Sequence, residues 1–114
     1  MIKQISHQNI ANMDLVPQAI LNKPVSFFAD HWNIHFLQQS ENLDVCQTAA
    51  LRLNNETVFA LKHYRGYPED TTTIYLPREV SNVNEITSLI GAIVHALDLS
   101  GAVIRWQRAD DPNL

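Results

Sequence analysis

The clearest pattern along the chain is a set of apolar residues that recur at spacings of three and four between residues 83 and 99. This spacing places them on one stripe of an α-helix. Asn82, with Glu85 three residues later, forms a variant of the capping box at the start, and Gly101 supplies a stop. We therefore predict an amphipathic helix over residues 83–99. Its apolar stripe consists of Val83, Ile86, Leu89, Ile90, Ile93, Val94 and Leu97.

Other segments alternate between apolar and polar residues with a period of two. They are rich in Val, Thr, Ile, Phe and Tyr, the composition and period of strands with one face buried. Three of them precede the helix and one follows it. The predicted strands are residues 44–53, 57–65, 71–76 and 102–108.

The connections between these strands fit an antiparallel arrangement. Asn54, Asn55 and Glu56 suit a tight hairpin because Asn tolerates a positive φ. Residues 66–70 contain Gly, Pro, Glu and Asp and form a longer turn. We therefore predict an α+β fold, namely an antiparallel β-meander of three to five strands in β-β-β-α-β order, with the long helix packed on one face.

The first forty residues have the weakest pattern. Pro24 suits the first turn of a short helix that continues through Phe28 and Trp32, while residues 33–37 equally suit the start of a strand. Pro17 and Pro24 exclude one long helix across both positions. We expect a short N-terminal helical segment before the meander.

Length and composition indicate a single domain over residues 1–114. The hydrophobic fraction is 46% and the charged fraction 18%, which is enough to build a core, and no linker or internal repeat divides the chain. The single cysteine, Cys46, excludes an internal disulfide and favours a reducing compartment, so we expect a cytoplasmic protein. No apolar run approaches the roughly 20 residues that cross a bilayer, so no membrane segment is expected.

The formal net charge is −4. This charge opposes nonspecific attraction to phosphate backbones and favours a basic protein partner. The aromatic and glycine motifs of an RNA-recognition sheet do not occur. We therefore expect no nucleic-acid partner.

No residue pattern satisfies the requirements of a catalytic or metal site. His31 and His35 have the i, i+4 spacing that zinc sites use, but no further pair of ligands completes four. Cys46 lies inside a predicted strand, where thiols are usually inert. His63 with Asp70 or Glu69 could form an acid–base pair, although nearness in sequence does not establish a hydrogen bond. We predict no catalytic residue, no metal and no cofactor.

The densest polar cluster lies at the end of the second predicted strand and in the turn that follows it. Such turns present binding residues on a rigid scaffold, and Tyr and Arg dominate interface hot spots. By alternation, His63 shares the helix side with Phe59, whereas Lys62 and Tyr64 face the other way. The predicted partner-binding residues are Lys62, Tyr64, Arg65, Tyr67, Glu69, Asp70 and Arg105.

The outer face of the predicted helix carries no charged residue between Ile86 and Leu97. A solvated face normally carries charge, so this face is either an unremarkable surface or a close contact with a second element or a second copy of the chain. The predicted homodimer interface consists of Ser88, Gly91, Ala92 and His95.

These observations favour a small noncatalytic protein-binding domain, such as an immunity or antitoxin-like inhibitor of a basic toxin. The alternative is a small-ligand-binding protein or enzyme with a site around His63, Arg65 and Tyr67, which a deep pocket at these residues would support. A third interpretation is a structural homo-oligomer that uses the neutral helix face.

Overall fold

The computed structural model describes residues 1–41, 44–54 and 56–111. Short 3-10 turns at His7–Asn9, Gly101–Val103 and Arg108–Asp110 connect or follow the main elements. The helices and strands are β1 (Ile2–Gln4), β2 (Leu15–Leu21), α1 (Val25–Trp32), β3 (Leu37–Glu41), β4 (Asp44–Leu53), β5 (Thr57–Tyr64), β6 (Thr72–Pro77), α2 (Val83–Ala96) and β7 (Ile104–Gln107).

The seven strands form one antiparallel sheet. The strand order is β1-β4-β5-β6-β2-β7, and β3 also pairs with β4. The long strand β4 pairs with β3 along its first half and with β1 along its second half. The side chain of Gln4 joins β1 to the segment just before β3, because its amide group donates to the carbonyl of His35 (2.6 Å) and accepts from the N–H of His35 (2.9 Å).

The predicted architecture is wrong, although the broad α+β class is confirmed. The sheet has seven strands and two helices rather than a meander of three to five strands in β-β-β-α-β order with one packed helix. Strands β4, β5 and β6 pair consecutively, but β2 inserts between β6 and β7. The short helix α1 exists, yet β1 and β2 precede it, so it does not stand ahead of the sheet as predicted.

The physical reason for this error lies in β2. Its sequence is mostly apolar and contains Pro17, so it lacks the alternation that marks a strand. An extra residue, Gln18, interrupts its register with β6, where Pro17 lies opposite Tyr75 and Ala19 opposite Ile74. A β-bulge of this kind shifts the phase of the side chains and obscures the period further.

Helix α2 confirms the strongest sequence prediction. The Asn82 side chain accepts a hydrogen bond from the N–H of Glu85 (3.1 Å), as the capping pattern indicated. The helix ends at Ala96 rather than residue 99, because Asp98 adopts a left-handed φ of 58°. Val83, assigned to the apolar stripe, is instead exposed.

The main core lies between the two helices and one face of the sheet. Burying side chains of this size contributes roughly 1.5–3 kcal/mol each. A smaller apolar cluster on the opposite face includes Ile10, from the segment after β1, and Tyr75. The largest fully buried apolar side chains of the main core are Leu21, Phe28, Leu51, Phe59, Leu61, Ile74, Leu76, Ile90, Ile93 and Leu97.

Alternation along β5 is as predicted. Phe59 and Leu61 belong to the helix-side core, whereas Ala60 belongs to the opposite cluster. In the last predicted strand, residues 102–108, alternation puts Ile104 on the helix side and Val103 on the opposite face. Ile104 does pack on the helix-side core. Val103 was expected on the opposite face but is buried in the same core, because it belongs to a 3-10 turn and the strand begins only at residue 104.

Two smaller observations concern the connections and the helices. Asn54 has a φ of 52°, in keeping with the predicted hairpin, while Asn55 lies outside the described residues. Within residues 1–41, 44–54 and 56–111, neither helix combines the length and the apolar character needed to span a membrane.

Candidate partner-binding site

Strands β3, β4 and β5 carry three polar side chains next to one another at one end of the helix-covered face. Gln38 lies opposite Gln47, and Gln47 lies opposite His63. Ala49 and Leu61, two residues away on β4 and β5, belong to the core on the same face. The core therefore ends at this row, and a polar surface begins.

An open groove, here called the polar groove, lies on this row and has a cavity volume of about 340 Å³. Val25, the first residue of α1, and Val45 contribute its apolar lining. The groove is open to solvent, and three of its polar residues, Gln38, Arg65 and Glu69, are exposed. Its polar lining consists of Gln38, Gln47, His63, Arg65 and Glu69.

The polar side chains of this groove make no polar contact with the rest of the described chain. None of the five forms a hydrogen bond or ion pair with another residue in the described part of the chain. The Nδ1 atom of His63 is buried and has no hydrogen-bond partner there. Leaving a buried polar atom unsatisfied costs about 1–3 kcal/mol. The groove therefore has hydrogen-bonding capacity that the fold itself does not satisfy.

The structure divides the predicted partner-binding residues between the two faces of the sheet. Arg65 and Glu69 line the polar groove, whereas Lys62 and Tyr64 line a cavity of about 480 Å³ on the other face. We call this second cavity the back groove. The Lys62 Nζ atom lies 4.9 Å from the centroid of the Tyr75 ring, a cation–π distance. The back groove is also lined by His7, Ile10, Ala11, Met13, Asp14, Leu15 and Gln39.

The remaining predicted residues lie in or near the loop between β5 and β6. Tyr67 is 39% exposed, and its ring centroid is 6.0 Å from that of Tyr64. Asp70 and Arg105 form an ion pair at 3.5 Å, and both side chains are exposed. An exposed pair of this kind contributes at most about 1 kcal/mol to the stability of the fold.

One carboxylate beside the back groove is already engaged. Asp14 forms a hydrogen bond and ion pair with Arg78. The hydrogen bond first, and the negative charge second, raise the pKa of Arg78 above its ordinary value. A raised pKa keeps the Arg78 guanidinium protonated throughout the ordinary pH range.

The outer face of α2 is exposed at each residue assigned to a homodimer interface, Ser88, Gly91, Ala92 and His95. Ala92 and His95 also line a concavity of about 460 Å³ that includes Met1 and Trp32. Trp32 is 38% exposed. These positions make the face accessible, and dimerisation through it stays a prediction.

The two histidines with helical spacing do not share one helix face. Helix α1 ends at Trp32, so His35 lies beyond it. The His31 ring stacks on Phe27 at 4.3 Å between centroids, and its Nδ1 is 3.3 Å from the Phe27 carbonyl oxygen. In the described part of the chain, no group of three or more His, Cys, Asp or Glu residues is placed to hold a metal ion.

Sequence reasoning missed two residues of the polar groove, Gln38 and Gln47. Gln47 is in phase with Ala49 and Leu51, which face the core. The signal in the sequence was therefore a polar residue at position 47, where alternation predicts an apolar one. Gln38 could not be placed because β3 was not recognised as a strand.

No known protein family, curated protein or solved structure matches this chain. No residue role is therefore carried over from another protein.

Proposed function

We propose that this chain is a noncatalytic protein-binding domain that engages its partner through the polar groove and the adjoining loop, residues 65–70. The observation that supports this proposal is the convergence of five polar side chains without hydrogen bonds to other described residues. Buried polar groups in folded proteins are ordinarily paired, and no described residue pairs with His63 Nδ1. A partner that docks in the groove can supply these missing hydrogen bonds.

The shape of the groove favours a protein over a small molecule. Small-ligand sites enclose most of the ligand. This groove is open, because its lining residues include the exposed side chains of Gln38, Arg65 and Glu69. Protein interfaces place aromatic and Arg side chains at their centre, as exposed Tyr67 and Arg65 would do here.

A small polar ligand at the same site is the second candidate. The cavity of about 340 Å³ falls within the ordinary size range of ligand pockets. Arg65 and the Gln47 amide suit a ligand that carries a carboxylate or amide group, because both side chains donate hydrogen bonds.

The net charge of −4 supports a basic partner. Opposite net charge accelerates encounter, and the association rate should fall as salt rises. An immunity or antitoxin-like inhibitor of a basic toxin is the form of this function that we favour. A cytoplasmic location agrees with the single buried thiol of Cys46.

Site-specific photo-crosslinking tests the proposal. A benzophenone amino acid replaces Tyr67, in the exposed loop whose residues Arg65 and Glu69 line the groove, or, as the control, Val83, which is exposed at the start of α2. In the native cell, we expect a discrete heavier product from position 67 and not from position 83. Arg65→Ala should reduce that product, because it removes the cation at the rim.

The opposite outcome is also well defined. Absence of a product at position 67, or the same product from both positions, would contradict a partner surface at the polar groove. Native mass spectrometry of the protein purified from its own cells separates the second candidate. A small bound mass that Arg65→Ala removes would assign the groove to a ligand instead.

A further inference from the structure

We infer that β3 is a docking edge, to which an extended segment of the partner adds as an eighth strand of the sheet. This inference rests on the proposed protein-binding function. It concerns the outer edge of β3, which lies beside the polar groove and is not part of the loop or of the groove already described.

The backbone of β4 determines which groups of β3 point outward. The N–H of Arg65 bonds to the carbonyl of Val45, and the N–H of Ile5 bonds to the carbonyl of Ala50, each at 3.0 Å. In an antiparallel ladder, successive residues direct their backbone groups to opposite sides. The backbone N–H and C=O groups of odd-numbered β4 residues therefore point toward β5. Those of even-numbered residues point toward β1 and β3.

This phase leaves two residues of β3 with outward backbone groups. Gln39 lies opposite Cys46, an even-numbered residue whose backbone groups point toward β3. The backbone N–H and C=O of Gln39 therefore point toward β4. The N–H and C=O of Gln38 and Ser40 consequently point away from the sheet. Among the described residues, β3 pairs only with β4. Two donors and two acceptors at a spacing of two residues are what an added strand requires.

The other edge strands are better protected than β3. Natural sheets discourage edge pairing with charged side chains, especially Lys. Strand β1 carries Lys3 and strand β7 carries Arg105. Strand β3 carries a charge at its last residue, Glu41, whereas residues 37–40, which include both residues with outward backbone groups, carry none, and Leu37 is 48% exposed. The edge beside the polar groove is therefore the one most open to another chain.

The two grooves flank this edge on opposite faces. Gln38 lines the polar groove, and its neighbour Gln39 lines the back groove. Successive side chains of an added strand also point to alternate faces, so they would lie next to one groove and then the other. Main-chain hydrogen bonds would supply affinity, and the grooves would select side chains.

The chemistry of the polar groove defines the occupant further. The Gln38 and Gln47 amides beside the edge both donate and accept hydrogen bonds, while Arg65 donates and Glu69 accepts. This mixed lining suits uncharged polar side chains such as Asn, Gln or Ser at alternate positions of the docked segment. The occupant is thus an extended segment of a partner protein, with uncharged polar side chains on the face toward α1.

Ser40→Pro isolates the outward edge. Proline lacks an N–H, and the N–H of Ser40 faces away from β4, so the β3–β4 ladder should stay intact. Ser40→Ala keeps the N–H and is the matched control. The probe is a displayed library of random peptides about ten residues long, the upper length of ordinary strands.

Peptides enriched on the unmodified protein should bind Ser40→Ala equally and Ser40→Pro at least about tenfold more weakly, a loss of about 1.4 kcal/mol. N-methylation of alternate peptide amides should weaken binding in the same way without altering the protein. In the complex, exchange of the Gln38 and Ser40 amide protons should slow, while Gln39 is already protected.

Several results would overturn this inference. One is that no peptide is enriched on the unmodified protein. Another is that enriched peptides bind Ser40→Pro as tightly as the unmodified protein. A third is that peptide binding slows amide exchange at another strand instead of β3. Slowed exchange at Gln38 and Ser40 that depends on protein concentration without peptide would assign the edge to a second copy. If position 67 crosslinks a partner that Ser40→Pro still binds, only the docking edge is wrong and the protein-binding function stands.

Discussion

The two ends of the helix-covered sheet face differ in chemistry, although the same strands run through both. At the apolar end, Leu51 of β4 and Phe59 of β5 are fully buried. Four residues away along each strand and in the same phase, Gln47 and His63 line an open groove at the polar end. One end supplies the stability of the fold, while the other keeps polar groups that the fold does not use. Departures from a consistent core of this kind are expected where a protein functions.

The largest predicted effect is at the apolar end. Phe59→Ala should lower the free energy of unfolding by about 3–5 kcal/mol, because it removes a fully buried ring and leaves a cavity. The matched change at the polar end, His63→Ala, should alter it by less than about 1 kcal/mol, because lost packing is offset by removal of an unsatisfied buried atom. Urea unfolding at one pH measures both values.

Similar losses for the two variants would remove the distinction between the ends. His63 would then behave as a core residue, and its buried nitrogen would have a structural role.

A smaller effect is expected at the start of α2, which covers the apolar end. Asn82→Ala should lower the free energy of unfolding by about 1 kcal/mol, because the side chain no longer accepts from the N–H of Glu85. Asn82→Asp keeps an acceptor and should retain most of the stability. Thermal or urea unfolding measures the change.

The Asn82→Ala variant also tests whether a change at the apolar end affects partner binding at the polar end. Crosslinking from position 67 should be unchanged in Asn82→Ala at a temperature where the protein is folded, since Asn82 does not line the groove. A parallel loss of crosslinking would show that the two ends are coupled.

The sequence predicted those elements whose period is uninterrupted. Strands β4, β5 and β6 alternate clearly, and α2 combines a helical stripe with a cap at Asn82. Strand β2 failed because Pro17 and a bulge disrupt its period, and β1 failed because it is only three residues long. Pairing between strands distant in sequence then determined the order of the sheet, which no local pattern contains.

The candidate site was predicted in part for the same reason. Arg65 and Glu69 were identified from the polar loop in which they occur. Gln38 became recognisable only when β3 was placed beside β4. Lys62 and Tyr64 were grouped with Arg65 by composition, although alternation places them on the opposite face.

The most direct test of the functional polar end is the free energy of unfolding of the double variant Gln47→Leu/His63→Phe. If these residues are kept for binding, apolar replacements should leave stability unchanged or raise it by about 1–2 kcal/mol, because the unsatisfied imidazole nitrogen is removed and apolar surface is added. A loss of more than about 1 kcal/mol would show that the polar row holds the fold together and would contradict this account.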